Sequence, residues 1–442
     1  MMEAMPLPPC PIDFDDCGAS MHALATELYP IHRSITGDGV RETLRRLAVH
    51  VPLVVHEVAS GTPVLDWTVP REWNVRDAYV ADEQGRRVID VARHTLHLVG
   101  YSSPVDAVLT RAELEPHLHS RPDLPHAIPY VTSYYGDGWG FCLSHEERQA
   151  LPDGRYRVVV DASLEDGSLT YGELLLPGEL KEEVFLSTYV CHPSMANNEL
   201  SGPVVTTFLA CWLQSVPRRY SYRIVFVPET IGAITYLSRH LDTLRQRVVA
   251  GYVVTCIGDD RAYSYVPSRR GGTLADRAAL AVLGAVHPGF HRYTFLDRGS
   301  DERQYCAPGV DLPVASVMRS KYREYPEYHT SLDDLKLVTP SGLQGGFDAL
   351  RTCIELIERN ATFRATCVGE PQLGRRGLYP SVATVNSHRV VTDMLNVLAY
   401  ADGEHDVIDL VDRLGIEPNR LYRLVGTLTD AGLLERVERD ER

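Results

Sequence analysis

Residues 183–202 read Glu-Val-Phe-Leu-Ser-Thr-Tyr-Val-Cys-His-Pro-Ser-Met-Ala-Asn-Asn-Glu-Leu-Ser-Gly, and the fold is decided there. The run 183–190 is apolar almost without interruption and has the length of one strand. That pattern belongs to a strand covered on both faces. It runs directly into His192, so the imidazole emerges at the strand's carboxyl end. Residues 202–214 then have the spacing of a helix. Working outward, 174–176 and 222–227 read as strands, 231–244 as a helix and 248–257 as a third apolar strand. Strand–helix–strand–helix–strand order implies an α/β fold, a mostly parallel sheet with helices on both faces. Ligands of such sheets collect at the carboxyl ends of the strands.

The flanking sequence has a different texture. Leu24, Leu28, Val40, Leu44 and Leu47 repeat at helical spacing, and the Gly37-Asp-Gly39 turn divides them into two helices. From 54 to 168, short β-rich runs (53–58, 78–81, 87–89, 156–161) alternate with Pro, Gly and Asp, which predicts an inserted β-rich subdomain. After a break at 371–386, helices over 390–400, 407–414 and 420–431 precede a short strand at 433–437, the order of a winged helix-turn-helix. Its recognition-helix candidate, 418–430, offers only Arg420 and Arg423 as basic residues. It is flanked by Glu435, Glu438, Asp440 and Glu441, so packing or oligomerisation is expected of it, not nucleic-acid binding. The chain carries 59 acidic against 44 basic residues, a formal charge of −15, which argues against broad binding to polyanions. Nine scattered cysteines without a CxxC pair suit a reducing compartment. The start, MMEAMPLPPC, has no basic region leading into an apolar run, and no window has the length to span a bilayer. A cytoplasmic protein is expected, and a homo-oligomer stays open.

Three short motifs carry chemistry. His192 ends a strand, with Glu199 seven residues on at a helix start; an imidazole and a carboxylate are ordinary Zn²⁺ ligands. Val227-Pro-Glu-Thr-Ile-Gly-Ala233 again follows a strand and opens a helix, which puts Glu229 in the same crevice, where a carboxylate suits general-base work. In Tyr322-Arg-Glu-Tyr-Pro-Glu-Tyr-His-Thr-Ser-Leu-Asp-Asp334, Asp333 lies four residues after His329 and is expected to orient its ring. Singly, each has a plainer explanation: a strand-capping His, helix-capping carboxylates, a loop His. Together they set two imidazoles and two carboxylates after strands of one sheet.

These motifs resemble the zinc aminopeptidase clan, which includes leucyl-type aminopeptidases and glutaminyl cyclases. The clan pattern falls here on His192, Ala196 to Gly202, Glu229-Thr230, and Tyr328-His329-Thr330 with Asp333. Gly299-Ser-Asp-Glu and Ala307-Pro-Gly-Val-Asp-Leu-Pro313 resemble a further clan segment. Nearly the whole chain resembles one bacterial family in that group, with an aminopeptidase-like domain, a polysaccharide-biosynthesis label and a closing winged helix. The shared text includes His32-Arg-Ser-Ile-Thr-Gly-Asp-Gly39, Cys191 to Pro203 and Arg319-Ser-Lys-Tyr322. The resemblance implies an aminopeptidase-like domain at 1–60 and 169–385, an insert at 61–168 and a winged helix at 386–442.

Where the clan bridges two metals with an aspartate, this chain has Asn198. The second Glu of the Glu-Glu pair is Thr230, and the third carboxylate falls near Thr255. These neutral groups cannot balance two cations, so one zinc ion is expected. His192, His329 and Glu199 are its expected ligands, with the Asn198 amide oxygen as the alternative third; Glu229 is the expected base, and Asn198 and Asp333 otherwise the surrounding support. On the substrate side, Asp301 is expected near the metal with Arg298 on the same loop. Tyr328 flanks the site, and Arg319, with Arg33 as a weaker choice, is a candidate carboxylate clamp. Trp139, Tyr134 and Tyr135 belong either to the pocket wall or to the insert's core. The expected activity is hydrolysis of an amide bond in a peptide or aminoacyl small molecule. The alternatives are a cyclase-like or other acyl-transfer enzyme, or an inactive scaffold that binds through the winged helix.

Overall fold

The structure is a computed structural model and describes residues 12–379 and 385–437. The N-terminal stretch through residue 11 and the acidic Glu438, Asp440 and Glu441 lie outside the described residues.

An eight-stranded sheet organises the chain. Its order is Val54–Ala59, Ser168–Leu176, Ser221–Val227, Glu183–Tyr189, Val248–Val253, Val314–Met318, Ser264–Val266 and His291–Arg292. The four strands at its centre are mutually parallel, and antiparallel neighbours flank them on both sides. Glu183–Tyr189 is buried along its whole length because it serves both faces. Val184 and Leu186 face one apolar cluster with the helices Ser201–Ser215, Leu274–Val286 and Pro340–Glu358. Phe185 and Tyr189 face the other, with helix Ile231–Arg247 and the insert. The two N-terminal helices form at Gly18–Leu28 and Asp38–Leu47, and the second begins within the expected turn, with Gly37 as its N-cap.

The insert is built on a four-stranded antiparallel sheet in which Glu72–Ala81 and Arg155–Glu165 form the long central pair. Arg41 ties it to the core, donating to Glu72 at 2.8 and 2.5 Å. The winged module corrects the expected boundary at 386. Thr362–Ala365 pairs with both Asp402–Asp406 and Leu434–Val437, so the module's sheet begins at Thr362. A four-residue strand, even the central one of its sheet, has too little periodicity to be recognised in advance. Among the described residues, no helix is long and apolar enough to cross a membrane.

Candidate active site

The three motifs meet at the carboxyl ends of the parallel strands. His192 Nε2 lies 3.4 Å from Glu229 Oε2, and the rings of His192 and His329 are 5.8 Å apart between centroids. All three line a cavity of about 440 Å³. Four aromatic rings of the insert, Trp67, Tyr130, Tyr134 and Tyr135, form one part of its wall. Tyr130 meets both imidazoles edge-on, at 5.3 Å from His192 and 5.2 Å from His329. It is held there by backbone pairing across the domains: Tyr130 N–H donates to His329 O at 2.9 Å and Ser331 N–H to Ile128 O at 2.8 Å. Trp139 instead stacks on His117 at 3.6 Å, inside the insert.

Glu199 does not take the place expected of it. It is fully buried behind His192, where Oε2 accepts from the ring's Nδ1 at 2.8 Å. A carboxylate there accepts the Nδ1–H and leaves Nε2 facing the cavity, the usual way a protein orients a metal-binding histidine. Glu199 Oε1 is 3.7 Å from Arg33 Nε, and Arg33 is itself buried, donating to His192 O at 2.9 Å and Leu28 O at 2.8 Å. Arg33 therefore supports the histidine from behind and has no face toward a substrate.

Asp333 also serves a different partner. Its carboxylate accepts the amides of Asn197 (2.6 Å) and Asn198 (3.0 Å) and the Tyr325 hydroxyl (2.9 Å). It thereby caps the irregular π-turn Ala196–Leu200 instead of orienting His329. Burial raises its pKa to about 6. His329, with φ +55°, is positioned by rings, with Tyr328 stacked on it at 3.9 Å. Burial and the neighbouring His192 press its pKa down to about 3, so it is a neutral imidazole, the form that binds metals. Burial also works against charge on Glu229, but His192 and Arg303 outweigh it and hold the carboxyl below its ordinary value. For His192, burial opposes charge while Cys191, Tyr130 and Glu199 favour it, and the ring's pKa lies well above its ordinary value.

Of the expected substrate groups, Asp301 lies buried behind Thr230, whose amide it accepts at 2.8 Å. Burial and the nearby Glu229 raise its pKa well above normal. Arg298 covers the Phe295 ring and Arg319 the Tyr263 ring, the latter donating to Ala262 O at 2.8 Å. Neither lines the cavity. The basic residue that does is Arg303, on the short helix after Asp301. It donates to the Thr230 hydroxyl and stands 3.6 Å from Glu229 Oε1. Thr230 holds φ +64°, rare for a β-branched residue, and the bonds from Asp301 and Arg303 fix it there. Only the loss of carboxylates at Asn198 and Thr230 hinted that a basic side chain would fill the vacated position.

The donors present fit one cation and not two. His192 Nε2 faces the cavity and the neutral His329 ring lies 5.8 Å away between centroids, two nitrogen donors of the kind zinc takes. Asn198 Oδ1 is buried without a partner nearby. The positions that would hold a second ion are spent, Thr230 on Arg303 and Thr255 on the Asn198 carbonyl and Tyr189 hydroxyl. Among the described residues, the His/Cys/Asp/Glu group gathered within 4.8 Å is Cys191, His192 and Glu199, on the rear side of the ring, where Nδ1 is already engaged.

Comparison with known proteins agrees with this architecture. Residues 22–360 match the model of a family described as a domain of unknown function, DUF4910. The chain belongs to that family. Residues 361–436 match a winged helix-turn-helix model, in register with the module that begins at Thr362. A Clostridium acetobutylicum relative is 44% identical over 428 residues, 96% of this chain and 97% of its own, and is named for polysaccharide biosynthesis and an aminopeptidase-like domain. A crystal structure from the same organism, described as a peptidase, superposes with a TM-score of 0.88 at 42% identity, over 96% of this chain and 98% of that one. The zinc aminopeptidase of Bacillus subtilis shares the fold at a TM-score of 0.55 and 14% identity, over 80% of this chain and 95% of its own. The family domain thus has an aminopeptidase-like fold with a winged helix appended.

Proposed function

We propose that this protein is a metal-dependent amidohydrolase, acting on a peptide or aminoacyl small molecule with a single zinc ion. The observation that carries the reading is the convergence of His192 Nε2, the His329 ring and the Glu229 carboxylate on one aromatic-walled cavity. His192 and His329 would hold the cation, which when bound supplies Lewis acidity to the scissile amide. Glu199 keeps His192 in the tautomer that presents Nε2. Glu229, beside the Arg303 guanidinium, takes the proton of the attacking water and returns it to the departing nitrogen. Tyr130 and Tyr134, joined through their hydroxyls, line the cavity beside His192.

The test is elemental analysis of the purified protein together with release of free amine from N-acylated amino acids, peptides and aminoacyl amides. One equivalent of metal, lost in His192→Ala, is expected. Glu229→Gln is expected to retain the metal and to lose roughly 10²–10⁴-fold in kcat. Loss of metal in Glu229→Gln would make this carboxylate a ligand. Metal-free wild-type protein with no amine release would end the proposal.

A further inference from the structure

We propose that Arg303 is the substrate anchor, and that the substrate is an N-acylated α-amino acid with a free carboxylate, not a compound with a free terminal amine. The inference rests on the hydrolase reading and narrows it to a substrate class. An aminopeptidase must offer an acidic group to a substrate ammonium. Here the carboxylate lining the cavity is Glu229, which the reaction needs, while Asp301 is buried behind the wall with one oxygen committed to the Thr230 amide. The cavity instead presents a guanidinium that would repel an ammonium.

Arg303 has unused capacity. A guanidinium carries five N–H donors. Nη2 meets the Thr230 hydroxyl and, at 3.6 Å, Glu229, while the side chain stays 37% exposed and Nη1 has no acceptor among the described residues. An incoming carboxylate can take Nη1 and share Nη2 through the fork geometry particular to arginine. The position decides which carboxylate. Arg303 Nη2 stands 3.6 Å from one oxygen of Glu229, whose other oxygen lies 3.4 Å from His192 Nε2. An anion held by Arg303 is therefore a neighbour of the carboxyl that serves the leaving nitrogen, and in an N-acyl amino acid the α-carboxylate carbon lies about 2.5 Å from that nitrogen. Trp67 and Tyr135, in edge contact at 5.8 Å, with Tyr134 and Ile35, offer an apolar wall to the acyl group or side chain. In the hydrolysis the C–N bond breaks, water supplies hydroxyl to the acyl carbon, and Glu229 relays the remaining proton to the nitrogen.

The probes are N-benzoylglycine, its neutral twin N-benzoylglycinamide, and leucinamide. Binding to the full-length protein is followed by calorimetry and cleavage by chromatography. The acid is expected to bind about 10- to 100-fold tighter than its amide, the worth of a charge-assisted pair. Arg303→Gln should abolish that difference and raise KM for the acid, while Arg303→Lys restores part of it. Equal binding of acid and amide to the wild-type protein overturns the proposal without reference to any variant, as does a preference that survives Arg303→Gln. Cleavage of leucinamide with no binding of the acid sinks the anchor and leaves the hydrolase reading standing. An acid preference lost in Arg303→Gln, with no probe cleaved, supports the anchor and removes the hydrolase.

Discussion

Glu199 and Glu229 flank one imidazole, and the ring nitrogen each one meets separates their roles. Glu229 faces Nε2 and the cavity, whereas Glu199 takes Nδ1 from the rear, next to the buried Arg33. Replacing Glu199 with Gln keeps the shape but removes the charge that polarises the ring and balances Arg33. Metal affinity, read by chelator competition, should fall roughly 10- to 100-fold. The melting temperature should fall as well, because leaving a buried charge uncompensated costs about 3–5 kcal/mol. Unchanged affinity would show that Glu199 has no hold on the ligand. His192, Glu229 and His329 were legible in the sequence because each follows or faces a strand end, and strand direction carries over into space. The nitrogen that Glu199 meets was not legible, since a seven-residue separation is compatible with either side of the ring. Tyr130 carried no signal at all. It reaches the site because a loop of the insert pairs with the backbone of residues 329–331, and no local pattern records a pairing between such distant segments.

At the scale of elements, the site depends on how closely the helix Ser201–Ser215 approaches the sheet. A Cβ on Gly202 would lie 2.4 Å from the Val254 carbonyl oxygen and 2.5 Å from Thr188 Oγ1, so only glycine permits this contact. Gly202→Ala must push the helix outward and drag the π-turn Ala196–Leu200 with it, including Glu199. A loss of about 1–3 kcal/mol in denaturant unfolding is expected, together with weakened metal binding. Full stability in this variant would mean that the helix has slack. The helices and buried strands were readable because their periodicity is long and their neighbours agree. Thr362–Ala365 was missed because four residues earn their strand identity from the partners Asp402–Asp406 and Leu434–Val437, far along the chain.

Across the whole molecule, the insert and the winged module each share an apolar cluster with the peptidase-like core and add their own ion pairs. The insert is joined through Glu72, which accepts from Arg41, the Ser168 amide at 2.9 Å and Asn74 at 2.9 Å. Its hydrogen bond with Arg41 lowers the Glu72 pKa from 4.5 to about 2. A depressed carboxyl pKa gives stability that is complete above pH 4.5 and is lost as the pH falls toward 2. Glu72→Gln should therefore be less stable than wild type at neutral pH, by about 1 kcal/mol after solvent screening, and the gap should close between those limits. A constant gap in melting temperature across that range would assign the effect to packing alone. The winged module is held chiefly by apolar contact, since one continuous cluster runs from Phe347 and Ile354 through Val407 to Leu421 and Leu428. Arg277 adds bonds to Asp406 at 2.6 Å and Asp409 at 2.8 Å. The helix Pro418–Asp430 turns Tyr422 toward the core, where Arg359 covers its ring at 3.7 Å, and Arg420 is tied to Asp393. With Arg420 so engaged, Arg423 is the exposed basic side chain of this helix, and we expect one such charge to be too few to hold a phosphate backbone. Ending the chain at residue 360 should therefore expose the core face of helix Pro340–Glu358 and yield protein that aggregates or melts well below the full chain. The intact chain should leave duplex DNA unshifted in a gel at about 0.15 M salt, where nonspecific charge pairing is largely suppressed. A stable, monodisperse 1–360 fragment, or a sequence-dependent shift by the full chain, would show that the module is docked loosely enough to work elsewhere.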